Sequence, residues 1–373
     1  MLPSSEPIAR DCVLAEALDA AHAISDPDQR QVQVEKVGRL AAIQGVKSVL
    51  SEVLLDLPDP AGRANIHYHW AVRSITAGLE DEARQHLVRA REGLDEGKRW
   101  RPRCEWLSKE LAAADLAQAH ARLGELDSVH SLVEFSAEGG LARAAVRRAA
   151  VMALQVAGAR GIEVAWERAI KDVLALASED DRRRAVVELG RVAARYGLGE
   201  RVPALVSRAI VDSAWSPIQR FLLGMELGEA LAEAGEHDGA RLLWTQTGDW
   251  IQDEFKESME LEELQRGVDL LCRLAQVAQS VDHTVAESLF RVAVERTGQT
   301  PLPPDPNTRY PWRSLFRAAR QEPSLSGALR DLLRQRSVVP PGWCYALGIM
   351  ELESGRPDRA ERAASALEKG YAF

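Results

Sequence analysis

His67-Tyr68-His69 is the first group in this chain whose residue types suggest chemistry, since two imidazoles so close in sequence look like a metal pair. On a helix, however, residues two apart project about 200° from one another, so the two rings cannot share an ion. An aromatic-rich helix face is the expected role. His283 and Glu287 do have the i, i+4 spacing that lets two side chains meet one ligand. They follow Asp282 at an expected helix start, where polar residues cap the helix, and no metal is expected there. Glu179-Asp180-Asp181 followed by Arg182-Arg183-Arg184 has the composition of an acidic metal-binding motif. It has equally that of a helix N-terminus, where carboxylates complement the positive end of the dipole, and capping is the expected role. No H-E-x-x-H, G-x-S-x-G or phosphate-loop lysine motif occurs. No catalytic residue, cofactor or metal site is therefore expected.

The elements that carry these residues are legible from composition. Hydrophobic residues make up 46% of the 373 positions and aromatics only 5%. Ala and Leu dominate the apolar set, with Arg and Glu between them, and these are strong helix formers. Alternating Val/Ile/Thr runs of the kind that mark half-buried strands are hard to find. The net charge of -9 argues against general nucleic-acid binding, which needs a clustered basic face. No stretch approaches the roughly 18 apolar residues that a membrane span requires. The opening Met1-Leu2-Pro3-Ser4-Ser5-Glu6-Pro7 lacks a basic segment followed by an apolar core, so a cytoplasmic location is expected rather than secretion. Cys12, Cys104, Cys272 and Cys344 are scattered among apolar neighbours and are expected to be free, buried thiols.

A repeat runs through the chain. Its clearest copy is Leu227-Gly228-Glu229-Ala230-Leu231 through Gly235, followed by a polar turn and Ala240. Leu347-Gly348 to Gly355 with Ala360 repeats the phrase, and Leu189-Gly190 to Gly197 repeats it again. Weaker copies turn at Gly45, Gly78, Gly124 and Gly158. Successive turn glycines from Gly45 to Gly235 are separated by 33, 46, 34, 39 and 38 residues, the range of two-helix repeats. Helix starts are marked as well, by Asp26-Pro27, Asp59-Pro60 and Ser216-Pro217. Each supplies a side-chain acceptor at the cap and a proline at the first helical position. Arg30 and Arg63 stand at the same offset from their prolines. Turns are expected near Ser280 and at Glu322-Pro323 too.

Leu227, Gly228, Leu231, Gly235 and Ala240 resemble the tetratricopeptide-repeat signature; Leu347, Gly348, Gly355 and Ala360 resemble it less fully, with Glu351 in place of a large apolar residue. The resemblance implies an all-α fold, an α-solenoid of antiparallel helical hairpins. Trp166 and Trp244 fall where the second helix of such a repeat packs inward. Residues 1–298 are expected to form the array. Residues 299–312, rich in proline, read as a loop or linker. Residues 313–373 read as C-terminal helices that continue or cap the array.

In such a solenoid the first helix of each repeat lines the concave face. Its inward polar positions, counted back from the turn glycines, are Arg39, Arg122, Arg148, Arg191 and Arg195. Arg184, Arg191 and Arg195, spaced seven and four, share one helical stripe. Guanidinium forks suit carboxylate or phosphate groups, although Glu188 lies in the same stripe and offsets part of the charge. The function expected is a non-catalytic protein- or peptide-binding scaffold or regulatory protein, whose partner includes one with an anionic segment. A sensor of small ligands or signalling peptides is the alternative, and an all-α enzyme with a site between helices stands behind it.

Overall fold

The computed structural model of the protein describes residues 7–96, 108–212, 215–255, 261–299 and 315. Its helices begin where the side-chain caps predict. Asp26 accepts a hydrogen bond from Gln29 N at 2.9 Å, Asp59 from Gly62 N at 3.3 Å, and Ser216 from Gln219 N at 3.4 Å. Prolines 27, 60 and 217 follow at the first helical position, where a missing N–H costs nothing. The arginine four residues after each aspartate cap closes the preceding turn. Arg30 donates to Ile24 O at 2.8 Å and Ser25 O at 3.4 Å; Arg63 donates to Leu57 O at 2.9 Å and Pro58 O at 3.1 Å. Helix ends follow the glycines. Gly45, Gly78, Gly124, Gly158, Gly197 and Gly235 all adopt φ between +60° and +84°, the left-handed region that a Cβ disfavours.

Fifteen α-helices result among the described residues, with no strand. They are α1 (Pro7–His22), α2 (Pro27–Gln44), α3 (Lys47–Asp56), α4 (Pro60–Thr76), α5 (Glu80–Glu96), α6 (Lys109–Arg122), α7 (Leu126–Ser131) and α8 (Leu141–Val156). There follow α9 (Ile162–Leu174), α10 (Glu179–Arg195), α11 (Val202–Asp212), α12 (Pro217–Glu233), α13 (His237–Glu254), α14 (Leu261–Gln279) and α15 (His283–Gln299). Short 3-10 turns lie at Leu132–Phe135 and Gly199–Arg201. The protein is all-α. The turn expected near Ser280 separates α14 from α15; those at Glu322-Pro323 and Gly355, and the 299–312 and 313–373 segments beyond Gln299, lie outside the described residues apart from Leu315.

The chain divides into two compact units, Met1–Ala185 and Val186–Phe373. In the first, α1 packs on α2 and α3, α2 on α3 and α4, α4 on α5 and α6, α6 on α7 and α8, and α8 on α9. In the second, α12 packs on α13 and α14, and α13 on α14 and α15. Most helices thus touch their neighbour in sequence, and about half touch the helix after that. Leu18, Val34, Ala41, Val53, Ile66 and Trp70 join one buried cluster in the first unit. Phe221, Leu227, Leu243, Trp244, Leu274 and Phe290 are buried in the second. Trp166 and Trp244 are both core residues, as the repeat register predicts. Gly228 lets α12 and α13 approach closely: a Cβ there would strike the Trp244 indole, 2.5 Å from Cε2.

One expectation fails. Cys272 is a free, buried thiol, pushed well above its usual range by burial, but Cys12 is exposed. Its apolar sequence neighbours do not bury it: among the described residues α1 packs chiefly on α2 and α3. Cys104 and Cys344 lie outside the described residues.

Candidate functional site

Of the arginines expected to line a binding face, Arg39 is half-buried on α2 and Arg148 half-buried on α8, and both already have partners within the protein. Arg122 is exposed in the last turn of α6. These three sit on three different helices. On α10, Arg184, Arg191 and Arg195 are all exposed. Arg184 pairs with Asp180 at 3.0 Å in the first unit, and Arg191 pairs with Glu188 at 2.8 Å in the second. Both are pairs within one helix on the surface, weak enough for an incoming anion to displace.

Arg191 also lies near Glu229 of α12. Glu226, Glu229 and Glu233 are spaced three and four apart, so they share one stripe of α12. The half-buried Glu229 carboxyl is held above the usual range, chiefly by burial, then by the neighbouring Glu233 and Glu226, against the opposing pull of Arg191. The strip of the second unit that carries Arg191 is therefore mixed in charge, not uniformly basic. The i, i+3, i+7 spacing of those glutamates was visible in the sequence; that Glu229 lies within reach of Arg191 was not.

The acidic-then-basic run at Glu179–Arg184 acts as a helix start. Asp181 N donates to Ser178 Oγ at 3.3 Å, and Asp180 accepts from Arg183 at 3.3 Å. At α15, Asp282 caps the helix by accepting from Thr284 N at 2.8 Å and Val285 N at 3.1 Å, while Glu287 is engaged by Arg291 at 2.8 Å. His283 has a partner within the protein as well.

The histidines of α4 diverge as expected. His69 lies edge-on to Tyr68, with ring centroids 5.2 Å apart. His67 is buried and meets a residue from the next helix, His86 of α5, with the two Nδ1 atoms 2.9 Å apart. Such a contact needs one Nδ1 to carry a hydrogen and the other a lone pair, so the rings hold opposite tautomers. Burial, then His86 itself, then Arg89 and Arg63, lower the His67 pKa to about 4, and burial and Arg89 lower that of His86. Both rings are neutral at pH 7. Trp70 stacks beside His86 at 5.6 Å and carries the cations of Lys47 and Arg73 over its ring at 5.8 and 5.5 Å. His67 and Trp70 of this arrangement are buried in the core, while Lys47 reaches the surface.

Cavities beside Phe255 in the second unit, one lined by Phe221, Trp250 and Ile251 and another by Val268, Leu271 and Arg296, are each about 10 Å³. That is about room for one water, far below what a small-molecule site encloses. Among the described residues, the ligand atoms of His22, Glu52 and Asp56 lie within 4.8 Å of one another. No described helix is long and apolar enough to cross a membrane.

Comparison with protein-family models, with curated proteins and with solved structures returned no match.

Proposed function

We propose that the protein is a non-catalytic binding protein, a tetratricopeptide-like solenoid of antiparallel hairpins whose first helices present a concave face to another protein or peptide. The observation that carries this reading is a contact made twice with the same span. Arg84 on α5 reaches Glu125 at the start of α7, and Arg241 on α13 reaches Asp282 at the start of α15, each across 41 residues. In both, an arginine six residues after a turn glycine joins the second helix of one pair to the second helix of the next. Lys47 at the start of α3 meets Glu82 of α5 in the same sense, at 2.9 Å. A stack of like units leaves its alternate helices free to form an extended surface and buries only a thin core, which suits recognition more than a deep reactive pocket.

The exposed arginines of α10 remain the proposed contact for an anionic segment of the partner. Because Glu229, flanked by Glu226 and Glu233, lies near Arg191, a uniformly acidic ligand would be repelled there. A segment that sets a basic residue beside its acids fits the strip better. Affinity capture from the native host with the full chain, compared with the Arg191→Glu, Arg195→Glu double variant, tests this. A protein recovered by the parent and lost by the variant is expected; equal recovery by both removes these arginines from the interface.

A further inference from the structure

We infer that His22, Glu52 and Asp56 form a binding site for a borderline divalent cation of the zinc class on the first unit. The three side chains come from two packed helices, His22 from the C-terminal end of α1, Glu52 and Asp56 from the last two turns of α3. Their ligand atoms lie within 4.8 Å of one another. His22 Nε2 is 3.2 Å from Asp56 Oδ2. Zinc ligands stand about 2.0–2.2 Å from the ion, which sets neighbouring ligand atoms about 2.9–3.5 Å apart. The His22–Asp56 pair already has that separation, and Glu52 needs only a side-chain adjustment to join it.

Three further features disfavour this cluster in the absence of a cation. His22 Nε2 is shielded from solvent and, although within ion-pair distance of Asp56, makes no hydrogen bond of proper geometry among the described residues. Glu52 and Asp56 are like charges one helical turn apart, a spacing that destabilises a helix. They also stand at the C-terminal end of α3, whose last turn holds no basic residue, and the C-terminal end of α1 meets them there. Both helix ends carry partial negative charge, so carboxylates are least welcome and a cation most welcome at this point. A bound divalent ion relieves all three.

Ligand chemistry sets the ion. One imidazole with two carboxylates favours Zn²⁺, Co²⁺ or Ni²⁺ over the oxygen-seeking Ca²⁺ and Mg²⁺. Glu52 and Asp56 are exposed, so the remaining coordination positions face water.

The test is titration of the full chain with Zn²⁺ by calorimetry in a non-chelating buffer, together with the visible absorption of the Co²⁺ form. One equivalent is expected to bind. His22→Ala and Glu52→Gln should each weaken it by at least about tenfold and flatten the Co²⁺ bands. His237→Ala, at an exposed histidine on another helix, should leave it unchanged. Glu52 is on the surface, so Glu52→Gln remains informative even if His22→Ala disturbs the packing of α1, which circular dichroism would reveal. Absence of saturable binding, or equal affinity in the parent and Glu52→Gln, overturns the site. Sensitivity to His237→Ala instead marks binding by stray surface histidines and overturns it as well.

Discussion

Arg84 Nε donates to Glu125 Oε1 at 2.9 Å, and 157 residues further on Arg241 contacts Asp282 across the same interval of 41 residues. Each arginine also holds an aspartate three residues back on its own helix, Asp81 at 3.2 Å and Asp238 at 3.2 Å. Each distant acid sits at the start of the helix two further along. The guanidinium fork has enough donors to serve both partners, which a lysine ammonium on a flexible stem does less well. The two units of the chain thus use one device to set the register of successive helices.

The two partners at the second of these contacts should differ in weight. Asp282→Ala removes the cap of α15 together with the ion pair and is expected to cost about 1 kcal/mol. Arg241→Ala removes an exposed pair only and should cost less, with a coupling below about 1 kcal/mol that shrinks in high salt. A double-mutant cycle by denaturant unfolding at low and high ionic strength checks both; a salt-independent coupling contradicts the assignment.

The His67–His86 contact should make the first unit sensitive to acid. A histidine whose pKa is lower folded than unfolded takes up its proton on unfolding, so stability is full above the unfolded value. It declines as pH falls from 6.5 toward about 4, the folded value for His67. The slope is at most about 1.4 kcal/mol per pH unit for that proton, about 3 kcal/mol in all. Denaturant midpoints measured from pH 7 to pH 4 should show the decline in the parent and a shallower one in His67→Gln.

Gly228→Ala should reverse the usual rule for a helix interior, where alanine gains up to about 1 kcal/mol over glycine. Here the added methyl enters the Trp244 ring, and a loss of about 1–3 kcal/mol is expected. A lower melting temperature, with altered tryptophan fluorescence, is the readout. Unchanged or raised stability would show that α12 and α13 separate without cost.

Arg63→Lys should fail to replace arginine at the α3–α4 turn. Arg63 bridges the carbonyls of Leu57 and Pro58, which a single ammonium matches poorly. Faster amide hydrogen exchange at the start of α4 is expected in Arg63→Lys. Asp59→Ala, which removes the cap itself, should cost about 1 kcal/mol and give the larger effect.

The helices themselves, their caps at Asp26, Asp59 and Ser216 and their ends at six glycines were all legible in the sequence. Each depends on groups within a few residues of one another: a side-chain oxygen three residues from an N–H, a proline ring at the first position, a glycine free to take positive φ. The inward placing of Trp166 and Trp244 followed from the same local register. The tertiary structure decided what that register could not reach. It set His67 against His86 rather than His69, placed Glu229 near Arg191, left Cys12 exposed, and brought His22 to Glu52 and Asp56. All of these depend on which helix faces which, and that is fixed by long-range packing such as the close approach at Gly228. Local spacing determines a helix and the face a residue occupies; only the neighbouring helix determines what that face meets.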